Sequence, residues 1–249
     1  LFGGIGLSRL RSHSGALRPA KSGLLITAGF RELRHTVKNL RRYPQTLLFL
    51  VAFLHYSDGI QTVTSISTQF GQQEIGLTME DLAEVILIVQ FVGVLGAWLF
   101  ERMARLIGTK RSILLSLSVY ILITLYAYGM LQSKMDFYIM AAAMALVLVG
   151  SQALSRAAFS RMIPAGREAE YFGIYEISER GTSWLGPLFF GLALQYTGSY
   201  RLAVLALAAY FVAGFVLLLL VKFGRAEQEA HDEDTHTAGA PVIVPVAET

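Results

Sequence analysis

Apolar residues gather into six long stretches, at residues 45–70, 82–100, 112–131, 137–159, 173–196 and 202–221. Each approaches the ~20 residues that an α-helix needs to cross a hydrocarbon layer ~30 Å thick. The last is wholly apolar apart from Tyr210, whereas the first and fifth carry charged residues inside them. Glycine-bearing turns or charged residues fill the gaps, as in short connections between neighbouring helices. The pattern predicts an all-α membrane protein of six transmembrane helices. A basic cytoplasmic linker over residues 1–44, following a truncated preceding helix, would lead into a bundle at 45–223. Residues 224–249 would form a disordered, acidic cytoplasmic tail.

Composition strengthens this picture. Of the 249 residues, 54% are hydrophobic and only 16% charged, where soluble domains carry about a quarter charged residues. The net charge of +3 matters less than its arrangement. Nine bases precede the first span, from Arg9 to Arg42, and the next gap holds only Glu74, Glu80 and Asp81. Arg102, Arg105, Lys110 and Arg111 follow, then a gap with Lys134 against Asp136, then Arg156, Arg161 and Arg167, then Arg201 alone, then Lys222 and Arg225. Basic gaps alternate with poor ones, which puts both termini in the cytoplasm and requires an even number of crossings. A bacterial inner (plasma) membrane is the expected location. In the linker, Phe30, Leu33, Val37 and Leu40 recur at helical spacing, fitting either a membrane-surface helix or a solvated connector.

Polar groups at depth are costly unless paired or wetted, so their distribution carries the functional signal. The third span has only Ser, Thr and Tyr hydroxyls and the sixth only Tyr210, so lipid could surround both. In the first span Asp58, Gln61, Thr62, Ser65 and Gln69 fall on one helical face, with His55 a turn earlier. That stripe lines a cavity or makes a buried structural hydrogen bond. The fifth span opens with Glu176, Glu179, Arg180 and Ser183; Glu176 and Arg180 form an i,i+4 pair. It either latches the cytoplasmic end or binds substrate or protons. Trp184, Gly186, Pro187 and Gly191 then predict close packing and a kink. Gln152 of the fourth span could reach the cavity, while Arg156 is read as snorkelling to the surface. Gln90 is read as a helix–helix hydrogen bond. The sequence has no cysteine and no HExxH, GxSxG or GxxxxGK[ST] motif, so neither an enzyme, a metal site nor a cofactor is expected. No repeated aromatic–basic surface points to nucleic acid.

Two runs resemble a known family: Arg42, Tyr43, Pro44, Gln45, Thr46 leading to Tyr56, Ser57, Asp58, Gly59, Ile60, Gln61; and Gln152 to Arg156 followed by Ile163, Pro164, Gly166 to Glu170, Tyr171 to Gly173, and Glu176 to Pro187. With six helices between cytoplasmic termini, they resemble the C-terminal half of a major facilitator superfamily transporter. They are most similar to the family typified by the vacuolar amino-acid effluxer of fungal autophagy and its bacterial relatives. The superfamily's gating loop is represented by Gly108, Lys110 and Arg111, with Glu101 and Arg105 where Gly and Asp would stand. The resemblance implies alternating-access transport of amino acids or another small polar solute, driven by protons, in partnership with an N-terminal six-helix half. His55, Asp58, Gln61, Gln152, Glu176, Glu179 and Arg180 would then contact substrate or protons. A non-transporting membrane scaffold or sensor on the same fold is the alternative.

Overall fold

The computed structural model describes residues 43–238, with side chains placed through residue 231. Most of the expected linker therefore lies outside the described residues, as does the tail beyond residue 238.

The described chain is helical: α1 (Pro44–Phe70), a π-turn (Gly71–Ile75), α2 (Met79–Ile107), α3 (Thr109–Gly129), α4 (Lys134–Ser160), α5 (Glu168–Thr182), α6 (Leu185–Thr197), α7 (Tyr200–Leu220) and α8 (Phe223–Ala238). The helix starts follow local chemistry. Pro44 occupies the first turn of α1, where its missing N–H is no loss. Thr78 with Asp81, and Ser133 with Asp136, form reciprocal capping boxes on α2 and α4.

Helices α2, α3, α4 and α7 are long and apolar enough to cross a membrane. The outward face of α2, with Ile86, Leu87, Phe91, Val94, Leu95 and Trp98, is an apolar surface of a kind water does not tolerate on a monomer. At 27 residues α1 is long enough to span, but its polar stripe dilutes its hydropathy. The fifth expected span is two helices of 15 and 13 residues, each too short to cross alone at ~1.5 Å per residue. The kink expected there interrupts the helix at Ser183 and Trp184, which both keep right-handed helical backbone. The hydroxyls of Thr182 and Ser183 donate to Ser178 O and Arg180 O, and the Trp184 indole donates to Gly181 O. Such bonds compete with the helical ladder. Pro187 then has no N–H to return to the Ser183 carbonyl.

Packing places α1 at the centre, with Phe49, Phe53 and Tyr56 fully buried. Tyr175 of α5 stacks on Phe53 with ring centroids 4.3 Å apart. Contacts are densest between α2 and α4, between α1 and α7, and between α3 and α7. The α2–α4 approach depends on Gly96, where a Cβ would strike the Leu146 main chain. The expectation that the third and sixth spans could be ringed by lipid is corrected. Tyr120 of α3 and Phe211 of α7 stack at 5.0 Å, and each helix buries one flank in the bundle.

The tail also departs from expectation. Over residues 224–238 it is helical rather than disordered, because it has an apolar side to bury. Phe223 packs edge-on to Phe49 at 5.7 Å, Ala226 and Ala230 are buried, and Glu227 pairs with Arg161 at 3.2 Å. Gln45 completes the junction by accepting the Lys222 N–H at 2.8 Å.

Candidate functional site

Helix α1 carries most of the polar side chains, and neighbouring residues on it face different partners. Ser57 and Gln61 are one turn apart. The Ser57 hydroxyl donates to Glu179 Oε1 at 3.2 Å, and Gln61 Nε2 donates to the same oxygen at 3.3 Å. Gln152 of α4 reaches the Ser57 hydroxyl at 3.5 Å. Arg156, one turn further along α4, sits 3.0 Å from Glu176 and 3.7 Å from Glu179, with its guanidinium over the Tyr175 ring. Beneath this layer Ser155 donates to Ser151 O at 2.7 Å, so the Tyr56 hydroxyl, 2.6 Å away, is the donor to Ser155. This second tier holds α1 and α4 in register.

The upper tier opens on a cleft of about 480 Å³ lined by Ile60, Gln61, Thr64, Ser65, Leu148, Gln152, Arg156 and Glu179. It combines a half-exposed guanidinium, a largely buried carboxylate and two primary amides, beside hydroxyls of Thr64 and Ser65. Such a set can hold a small solute bearing both charges.

Asp58 and His55 are elsewhere. Asp58 is only 3% exposed and lies where α6 crosses α1. Gly186 of α6 permits the crossing, since a Cβ there would collide with the Thr62 hydroxyl and come within 3.1 Å of an Asp58 carboxylate oxygen. The Gly186 N–H is near enough to act on the carboxylate, yet neither oxygen completes a hydrogen bond of ordinary geometry. Together with His55, Asp58 lines a second pocket of about 400 Å³ that shares no residue with the cleft.

The single stripe read along α1 is therefore divided. Asp58 and Thr62 face α6, while Gln61 faces α4 and α5. Glu176 and Glu179 join Gln61 and Gln152, but Arg180 stands out from the group, 85% exposed and 3.9 Å from Glu176. The closer cationic partner of Glu176 is Arg156, which ends in the cleft rather than snorkelling away. Ser57 is the group that sequence reasoning left out. Its signal was available in the four-residue spacing to Gln61. Gln90 is exposed and has no hydrogen bond among those described.

The gating-loop residues have local partners. Arg105 pairs with Glu101 on its own helix. Gly108 sits at φ +91° between α2 and α3. Lys110 donates to Leu219 O and Val221 O at 2.8 and 2.7 Å, closing the C-terminus of α7. Arg111 is exposed.

Residues 2–231 match the model of the family described as vacuole effluxer Atg22 like. The chain belongs to the Atg22-like family. That places it in a family of transporters rather than of enzymes, and identifies it as a multi-pass membrane protein. It is 32% identical over 197 residues to the MFS-type transporter YxiO of Bacillus subtilis, covering 79% of this chain and 46% of YxiO. It is 30% identical over 221 residues to autophagy-related protein 22 of Yarrowia lipolytica, covering 84% of this chain and 37% of that protein. Against autophagy-related protein 22 of Kluyveromyces lactis the identity is 26% over 230 residues, 87% of this chain and 46% of the other. The chain thus spans less than half the length of these relatives.

Proposed function

We propose that this chain is one half of a secondary transporter that moves amino acids, or a similar small polar solute, by alternating access. It would cross the membrane six times, with α1 and the α5–α6 pair adding two crossings to the four apolar helices. The alternation of basic and base-poor gaps supports cytoplasmic termini, and the proposed location is a bacterial inner membrane. An N-terminal six-helix half would close the cleft from the other side and rock against this one.

The observation that carries the substrate reading is the Arg156–Glu179 contact at 3.7 Å beside Gln61 and Gln152 in the open cleft. A zwitterion can replace that contact with two of its own, carboxylate to Arg156 and ammonium to Glu179, so neither protein charge is left bare. The broken α5–α6 helix carries Glu176 and Glu179 and gives the cleft a movable wall. Glu176 and Arg180 would latch its cytoplasmic end, and Arg105, Gly108, Lys110 and Arg111 would form the gating loop. Proton coupling is assigned to Asp58, with His55 beside it.

Uptake by the intact protein in liposomes tests this. Zwitterionic amino acids should compete for flux, whereas their methyl esters, which keep the ammonium and lose the carboxylate, should compete at least tenfold less well. Arg156→Gln and Glu179→Gln should each abolish flux while the protein still inserts, and Asp58→Asn should abolish its dependence on a proton gradient. Esters that compete as well as the parent amino acids, or flux untouched by Arg156→Gln, would remove the substrate assignment.

A further inference from the structure

The pocket beside Asp58 has a chemistry of its own. The other buried polar side chains of α1 all have partners: Thr46 donates to Met162 O, Tyr56 to Ser155, Ser57 to Glu179 and Thr62 to Asp58 O. Asp58 alone among them has a carboxyl that completes no hydrogen bond of ordinary geometry, with the Gly186 N–H its near donor, at 3% exposure. An unmet carboxyl against apolar walls is costly to retain, which points to a partner arriving from outside. The pocket holds about 400 Å³, within the range of small-molecule sites. Its other walls include His55, Leu185, Phe189 and Tyr210.

His55 adds a second acceptor. Its Nδ1 lies 2.8 Å from Val51 O, and a carbonyl can only accept, so Nδ1 carries the hydrogen. With the ring neutral, Nε2 is a lone-pair acceptor. Phe189 and Tyr210 stand edge to face at 5.5 Å, giving an aromatic corner. One carboxylate and one imidazole are too few ligands for a resident metal ion. They suit a group with several N–H donors and one positive charge.

We infer that this pocket binds an organic ammonium, with its N–H groups on Asp58 and His55 and its apolar body along Phe189, Leu185 and Tyr210. Asp58 lies near the middle of the 27-residue α1, some ~20 Å from either end. A lipid headgroup at the interface cannot reach it, so the ligand is a free amphipathic amine. The carboxyl oxygens are sheltered from solvent. Thr182 and Leu185 lie on the two sides of the α5–α6 break, and that part of the wall can yield to admit the ammonium. The inference is separate from the zwitterion cleft, because the two pockets share no lining residue.

The test is direct binding of tritiated phenylbutylamine to the intact protein in detergent, by scintillation proximity, with phenylbutanol as the uncharged competitor. Phenylbutylamine should bind saturably, and phenylbutanol should compete at least tenfold more weakly than unlabelled amine. Asp58→Asn should weaken amine binding at least tenfold. Ala209→Phe, which fills the pocket from an exposed position of α7 without touching a charge, should do the same. Arg156→Gln, which abolishes flux if the cleft carries the solute, should leave amine binding unchanged, so the two readings fail separately. Equal competition by amine and alcohol, or full binding by both Asp58→Asn and Ala209→Phe, would overturn the inference. Should Asp58→Asn fail to fold, the alcohol comparison and Ala209→Phe decide it.

Discussion

Replacing Gly96 with alanine should drive α2 and α4 apart. A Cβ at this position would sit 2.7 Å from the Leu146 carbonyl carbon and 2.8 Å from its Cα, with the carbonyl oxygen closer still. Ordinary contact between carbons is about 3.5–4.0 Å, so the helices must separate by about 1 Å, and a gap of that size forfeits a quarter to a half of each neighbouring van der Waals contact. Overpacking generally costs about 1–3 kcal/mol. Here the obstacle is main chain, which cannot rotate away, so the upper end applies. A loss of about 3 kcal/mol lowers the folding equilibrium roughly a hundredfold. The assay is reversible unfolding in mixed detergent micelles with increasing sodium dodecyl sulfate, followed by circular dichroism. Gly224→Ala is the control: it lies in α8 with nothing within 4 Å of the added Cβ, and should be neutral or slightly stabilising. Because the collision involves the Leu146 main chain, adding Leu146→Ala should not rescue Gly96→Ala. Gly96→Ala within about 0.5 kcal/mol of the native protein, or a rescue by Leu146→Ala, would refute the backbone-contact argument.

Other outcomes follow from the polar contacts. Lys110→Met removes the ammonium that holds two terminal carbonyls of α7, and should cost about 1–2 kcal/mol in the same unfolding assay, with Lys110→Arg recovering part of it. Arg201 joins Glu74 at 2.9 Å and donates to Leu131 O at 2.6 Å, so Arg201→Met should cost about 2 kcal/mol, and more than Glu74→Gln, which leaves the carbonyl bond in place. By contrast, Arg161 and Glu227 are each nearly half exposed, so Glu227→Gln should shift stability by at most about 1 kcal/mol, and less in high salt. Truncation after Lys222, which strips Phe223 from Phe49 and removes buried Ala226 and Ala230, should destabilise the cytoplasmic end far more than Glu227→Gln does, measurable as faster proteolysis near residue 45.

Sequence alone determined the membrane class, the positions of the long apolar helices and the family. Those properties rest on solvent: a run of apolar side chains long enough to cross hydrocarbon has few other homes, and the residues that depart from it are visible one by one. The kink at Trp184 to Pro187 was equally local, because those residues compete for backbone bonds within a few residues of themselves. What sequence could not decide was which side of α1 each polar residue would meet. Asp58 and Gln61 are separated by only about 60° around a helix, close enough to read as one stripe. Yet α6 crosses between their environments, admitted by Gly186, and puts them in different pockets. The pairing of Arg156 with Glu176 and Glu179 joins α4 to α5, and the folding of the acidic tail depends on Phe223 finding Phe49. A charged side chain near a helix end reads as snorkelling until a carboxylate from another helix lies beside it, and a polar tail reads as unstructured until a distant surface covers its few apolar residues. Contacts between residues far apart in the chain decided these points.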